Sequence, residues 1–137
     1  MRGPIQLGLL RGGGILLVAL GVVHLVATPH ISLLIRHSVP PAAAQWLIPP
    51  MLLNHVLVGG LLIPLGALTV YAAPHAVDGA DWAKVVVRIT ACSVAALPIA
   101  LFAIMGARYF GNAPLFVVGA ALAVTAAATL LVAAFSR

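Results

Sequence analysis

The sequence predicts an all-α, polytopic membrane protein: a four-transmembrane-helix bundle in the N-in/C-in orientation, with both termini cytoplasmic. Two observations carry that fold class. Of 137 residues, 64% are hydrophobic and 7% charged, and the mean hydropathy is +1.21, values far outside those of a soluble domain. The seven lysines and arginines stand almost entirely at the ends of long apolar stretches. No formally charged side chain occurs between Arg11 and Arg36, Arg36 and Asp78, Arg88 and Arg108, or Arg108 and Arg137.

About 20 apolar residues span a bilayer core, so the first, third and fourth stretches each hold one helix, at about 12–28, 84–108 and 114–135 of a single transmembrane domain, 1–137. The second stretch is too long for one span. Pro40, Pro41, Pro49 and Pro50 divide it into an outer connecting segment, about 29–49, and a span of about 50–73. Ile31, Leu34 and Ile35 with Trp46, Leu47 and Ile48 lay that segment along the outer membrane surface or across the bundle mouth. Pro64 and Pro98 fall near the middles of the second and third spans, where a lost backbone bond bends a helix. In the fourth span the rows Gly119, Ala123, Ala127 and Ala121, Thr125, Thr129, Ala133 predict close packing against a neighbouring backbone. Basic Met1-Arg2 and Arg11 ahead of the apolar run Ile15–Val26 imitate a secretory signal, but the segment is expected to be retained as the first span.

Orientation follows from the basic residues. With the N-terminus inside, Arg2, Arg11, Lys84, Arg88 and Arg137 are cytoplasmic and Arg36 and Arg108 external, which satisfies the positive-inside rule. Tyr71 and Trp82 at one boundary, Trp46 and Tyr109 at the other, suit interfacial aromatics. The expected location is a bacterial-type inner or plasma membrane, crossed several times. The basic residues are scattered over loop ends, so the net charge of +5 is no nucleic-acid footprint. Partners are lipid and other membrane subunits or further copies of the chain. The single cysteine, Cys92, is read as a small packing residue in the third span.

The chemical clue is a histidine pair. His24 lies five residues before Pro29 and His55 five residues after Pro50, on antiparallel helices. If those prolines end the helices, both rings sit about 7–8 Å below the outer helix ends. Gly21 lies one turn deeper than His24 and Gly59 one turn deeper than His55, within the stripes Gly14, Gly21, His24, Thr28 and His55, Gly59, Leu62, Gly66, Thr69. Opposed imidazoles beside small residues are how helix bundles hold cofactors. The sequence reading is therefore a b-type haem held by His24 and His55, with room made by Gly21 and Gly59 and with Arg36 or Arg108 near its propionates. A chlorophyll-type pigment or a transition metal on the same two histidines is the variant chemistry. The same rings can instead bond to each other, or to Asn54, Thr28 or Ser93, with no cofactor. His30 and His37 in the connecting segment, and His75 on the other side, are read as interfacial residues.

Absences narrow the function. Asp78 and Asp81 are the only acidic residues, so no carboxylate pathway for protons or sodium crosses the spans. There is no phosphate-binding glycine loop, metalloprotease His-Glu pattern or nucleophile elbow. An autonomous enzyme is not expected. The expected function is an accessory subunit carrying haem for electron transfer near the outer face. The alternatives are a cofactor-free structural or assembly subunit and, third, a carrier of small solutes or metal ions.

Overall fold

The computed structural model describes residues 3–106 and 114–136. Among them the regular structure is helical: α1 (Gly3–Ser38), α2 (Pro41–Val77), α3 (Asp81–Met105) and α4 (Pro114–Phe135). Each is long and apolar enough to cross a membrane, as the charge-free stretches require. α1 packs on α2 and α4, and α3 packs on α2 and α4. The four helices thus close a ring in chain order, with Gly3 and Phe135 at the same end. Arg2, Arg108, Tyr109 and Arg137 lie outside the described residues.

The connecting segment expected at 29–49 is helical instead. α1 continues through Pro29, and α2 carries Pro49, Pro50 and Pro64 within it. The turn is made by the first proline pair alone: Pro40 is extended, at φ −56° and ψ 149°, and Pro41 occupies the first turn of α2, where its missing N–H has no partner to lose. Pro29 forfeits a helix bond, yet the helix holds because the two strands of this hairpin stay packed on each other. Ile31 of α1 and Ile48 of α2 are both buried. Around Pro29 the Thr28 and Ser32 hydroxyls donate to the carbonyls of His24 and Pro29, at 2.9 and 2.8 Å, local bonds within the turns on either side of the proline.

At about 1.5 Å per residue, α1 and α2 are each about 55 Å long and α3 about 38 Å. A bilayer core is about 30 Å thick. The α1–α2 hairpin therefore stands about 17 Å beyond the end of α3, with Trp46 exposed near its tip.

A repeat of seven organises the α1–α2 contact. A Cβ built on Gly14 would lie 2.8 Å from the Gly66 carbonyl oxygen, and one on Gly21 would lie 2.9 Å from that of Gly59. The two helices touch backbone to backbone at both levels, as small residues allow in lipid. Gly3 meets Val77 and His24 meets His55, so the numbers of facing residues add to 79 or 80 along the whole seam. Leu10, Leu17, His24 and Ile31 are seven apart on α1, as are Ile48, His55, Leu62 and Thr69 on α2. Apart from the two histidines, every member of these rows is buried. Such a repeat keeps one seam facing its partner over many turns.

The tightest core lies toward the end that carries both termini. It joins Leu10 and Leu17, Ala72 and Ala76, Val87 and Val94, and a face of α4 made by Ala123, Ala126, Ala127, Leu130, Ala133 and Ala134. The small face predicted for α4 is thus turned on its own chain, while Ala121 and Thr125 face outward. Cys92 is also exposed, on the outer face of α3 and not in the packing. At the α2–α3 turn Gly79 adopts φ 99°, a conformation that favours glycine. Its N–H donates to Ala76 O and that of Ala80 to His75 O, the paired bonds of a Schellman ending. Tyr71, His75 and Trp82 cluster beside this turn, with ring centres 5.4 to 6.3 Å apart.

Candidate functional site

His24 and His55 do meet. Their ring centres are 5.2 Å apart and their planes inclined at 34°. The pair forms one layer of the α1–α2 seam, flanked by the Leu17/Leu62 and Ile31/Ile48 layers. Because the helices pass the prolines, the depth below the helix ends differs from expectation. His24 precedes Ser38 by fourteen residues and His55 follows Pro41 by fourteen, which places both about 21 Å from the hairpin tip. Their equal level is kept, because an antiparallel seam of constant register fixes it.

The tautomer of His24 is set locally. Nδ1 lies 3.0 Å from the Leu20 carbonyl oxygen, which can only accept, so Nδ1 carries the proton and a neutral ring keeps its lone pair on Nε2. That arrangement, one ring nitrogen donating to a backbone carbonyl, is how histidines are oriented for metal ligation. His55 differs: its Nδ1 is buried and has no hydrogen-bond partner.

The glycines do not make room for a flat cofactor. The plane midway between opposed imidazoles runs along the seam between α1 and α2. One turn away, about 5 Å, it meets the Gly21–Gly59 contact, where even a Cβ would lie within 2.9 Å of a carbonyl oxygen. Two imidazoles opposed across one iron also put their ring centres about 6 Å apart for metal–nitrogen bonds of about 2 Å. The observed separation is 5.2 Å. A haem between His24 and His55 would require α1 and α2 to part at the Gly21–Gly59 contact. The same bond lengths at a bent, tetrahedral angle give about 5 Å between ring centres, which the pair matches.

Open volume lies beside the pair. A cavity of about 330 Å³ is lined by His24, His30, Asn54, His55, Met105 and Gly119, among others. An adjoining cavity of about 400 Å³ shares Asn54, His55 and Met105 with it and adds Met51 and Leu34. Both lie where the hairpin extends past the end of α3 at Met105. Two of the chain's three methionines therefore line this space. Sequence reasoning missed them, although Met51 precedes His55 by four residues, the spacing of one helix face.

Arg36 is not brought to the site: it is exposed and twelve residues, about 18 Å, farther along α1 than His24. Arg108 lies outside the described residues. His37 is exposed and its Nδ1 lies 2.7 Å from Leu33 O. Among the described residues no three histidine, cysteine or acidic side chains gather as a metal-binding group.

Fold and site together define a small multi-pass membrane protein with a histidine pair inside a helical hairpin seam. No known protein family, curated protein sequence or solved structure matches this chain.

Proposed function

We propose that this protein is a membrane subunit that holds one copper(I) ion between His24 and His55, with sulfur from Met105 or Met51 completing the site. The observation that supports this most is the buried Nδ1 of His55, which has no partner, beside the free lone pair of His24. An orphaned buried nitrogen is costly unless something answers it. The donor set points to the ion. Imidazole suits several transition metals, whereas thioether selects copper(I).

Charge points the same way. No carboxylate or thiolate lines the cavity, so the bound ion keeps its full charge in a low-dielectric setting. The desolvation cost grows as the square of the charge, which favours a monovalent over a divalent ion. With the basic end cytoplasmic, as the charge bias indicates, the ion lies toward the external face. A carrier or accessory role in a metal-dependent membrane assembly follows, and the hairpin tip offers the contact surface.

The test is anaerobic titration of the full chain in detergent with copper(I), competed by a chromophoric chelator. One ion per chain is expected, with two nitrogen neighbours at about 2 Å in the X-ray absorption spectrum and a sulfur neighbour that Met105→Leu or Met51→Leu removes. His24→Ala and His55→Ala should each abolish retention. Equal binding by the His24→Ala, His55→Ala double variant refutes the reading. A Soret band in the protein as purified would restore the haem, and would require α1 and α2 to separate.

A second reading rests on the register. The histidines occupy one layer of a seven-residue repeat, where a single polar layer specifies register at some cost in stability. That reading makes the protein a cofactor-free assembly subunit. It predicts that no preparation binds copper(I) against the chelator.

A further inference from the structure

A polar cavity of about 210 Å³ lies at the opposite end of the bundle, bounded by Gln6, Gly79, Lys84, Arg88 and Ser136 among others. Lys84 and Arg88 are four residues apart, on one face of α3. Arg88 reaches over the end of α4, where its Nε donates to Ala134 O at 3.4 Å and its guanidinium carbon lies 5.7 Å from the Phe135 ring centre. These contacts orient the group and engage one of its five N–H donors. Lys84 pairs with Asp81 at 3.2 Å, but that carboxylate is 98% exposed, and such pairs are weak.

Among the described residues no carboxylate side chain lines the cavity. α3 begins at this end, with Asp81 in its first turn and Lys84 and Arg88 on the turns that follow, where they line the cavity. Tyr71, His75 and Trp82 sit beside the turn, where interfacial aromatics place the headgroup level. Two neighbouring cations, one of them oriented by α4, and an open polar pocket at that level suit a phosphate group.

We infer that this cavity binds the phosphate group of an anionic lipid, bridged by the Lys84 ammonium and the free guanidinium nitrogens of Arg88. Basic pockets between transmembrane helices take such headgroups. The site is independent of the histidine pair.

Native mass spectrometry and thermal unfolding of the full chain test it, in nanodiscs of phosphatidylcholine with and without one-tenth phosphatidylglycerol. One retained phosphatidylglycerol per chain and a higher melting temperature with that lipid are expected. Lys84→Gln should lower retention several-fold, and Lys84→Gln with Arg88→Gln should abolish it. Arg88→Lys, which keeps the charge and loses the fork, should fall between. Lys84→Gln carries the test if Arg88 variants unfold, since Lys84 has only its exposed pair with Asp81 among the described residues. Equal stabilisation by millimolar inorganic phosphate in detergent, lost in the same variants, supports the site and assigns it to the free anion. Unchanged lipid retention in the double variant, or no preference for phosphatidylglycerol in the unmodified chain, overturns it.

Discussion

Substituting alanine for Gly66 tests the seam on which the histidine pair depends. The added Cβ would lie 2.5 Å from Gly14 O and 2.9 Å from both the backbone nitrogen and Cγ2 of Val18. Comfortable contacts are about 3.5 Å, so the new atom is about 1 Å too close to backbone that cannot rotate aside. α1 and α2 must part. Overpacking of this kind costs about 1–3 kcal/mol, and the gain in helix propensity on replacing glycine returns at most about 1 kcal/mol. Gly12 and Gly60 supply the controls, since nothing lies within 4 Å of a Cβ built on either. There the propensity gain stands alone. Gly66→Ala should therefore be less stable than Gly60→Ala by about 1–3 kcal/mol, read by equilibrium unfolding in mixed micelles with circular dichroism. A difference below about 0.5 kcal/mol, the usual scatter of neutral surface changes, would refute the backbone contact and the register built on it.

Three further outcomes follow from the same packing. In a Cys92→Ser background, Ile31→Cys with Ile48→Cys should cross-link on mild oxidation by iodine, whereas Ile31→Cys with Gln45→Cys should not; the reverse would restore a looped 29–49 segment. A Cβ on Gly13 would lie 2.6 Å from Cδ2 of Leu130, so Gly13→Ala should destabilise the native chain but not the Leu130→Ala variant. Additive losses in that cycle would show that the leucine does not seat on the glycine. Gln6 Nε2 donates to Ala133 O at 2.9 Å, joining α1 to α4, and Gln6→Leu should cost about 0.6 kcal/mol, the average for interhelical bonds in membranes. A loss above about 2 kcal/mol would mean that Gln6 does more than this.

The histidine pair shows where reading residues succeeded for an incomplete reason. Their shared level was legible because His24 and His55 lie equal distances from flanking prolines, and the true helix ends happen to preserve that symmetry. The stripes of Gly14, Gly21, Gly59 and Gly66 were legible as well. Their meaning was not: a glycine leaves space, and a sequence does not say whether a ligand or a neighbouring backbone fills it. Reading Pro29 as a stop puts Arg36 in a loop near the pair, whereas the unbroken helix carries it away. A proline removes one hydrogen bond, which is decisive in an isolated helix and affordable in a paired one.

Charge-free length and the placement of basic residues determined, from sequence alone, that four helices cross a membrane, since an apolar run in lipid has few other choices. Tertiary structure decided the rest. The register that brings two imidazoles together, the continuation of the hairpin past its prolines and the gathering of Met51 and Met105 beside the pair all depend on residues far apart in the chain. The physical reason is that packing energy is shared between helices, and no single helix carries a record of its neighbour's surface.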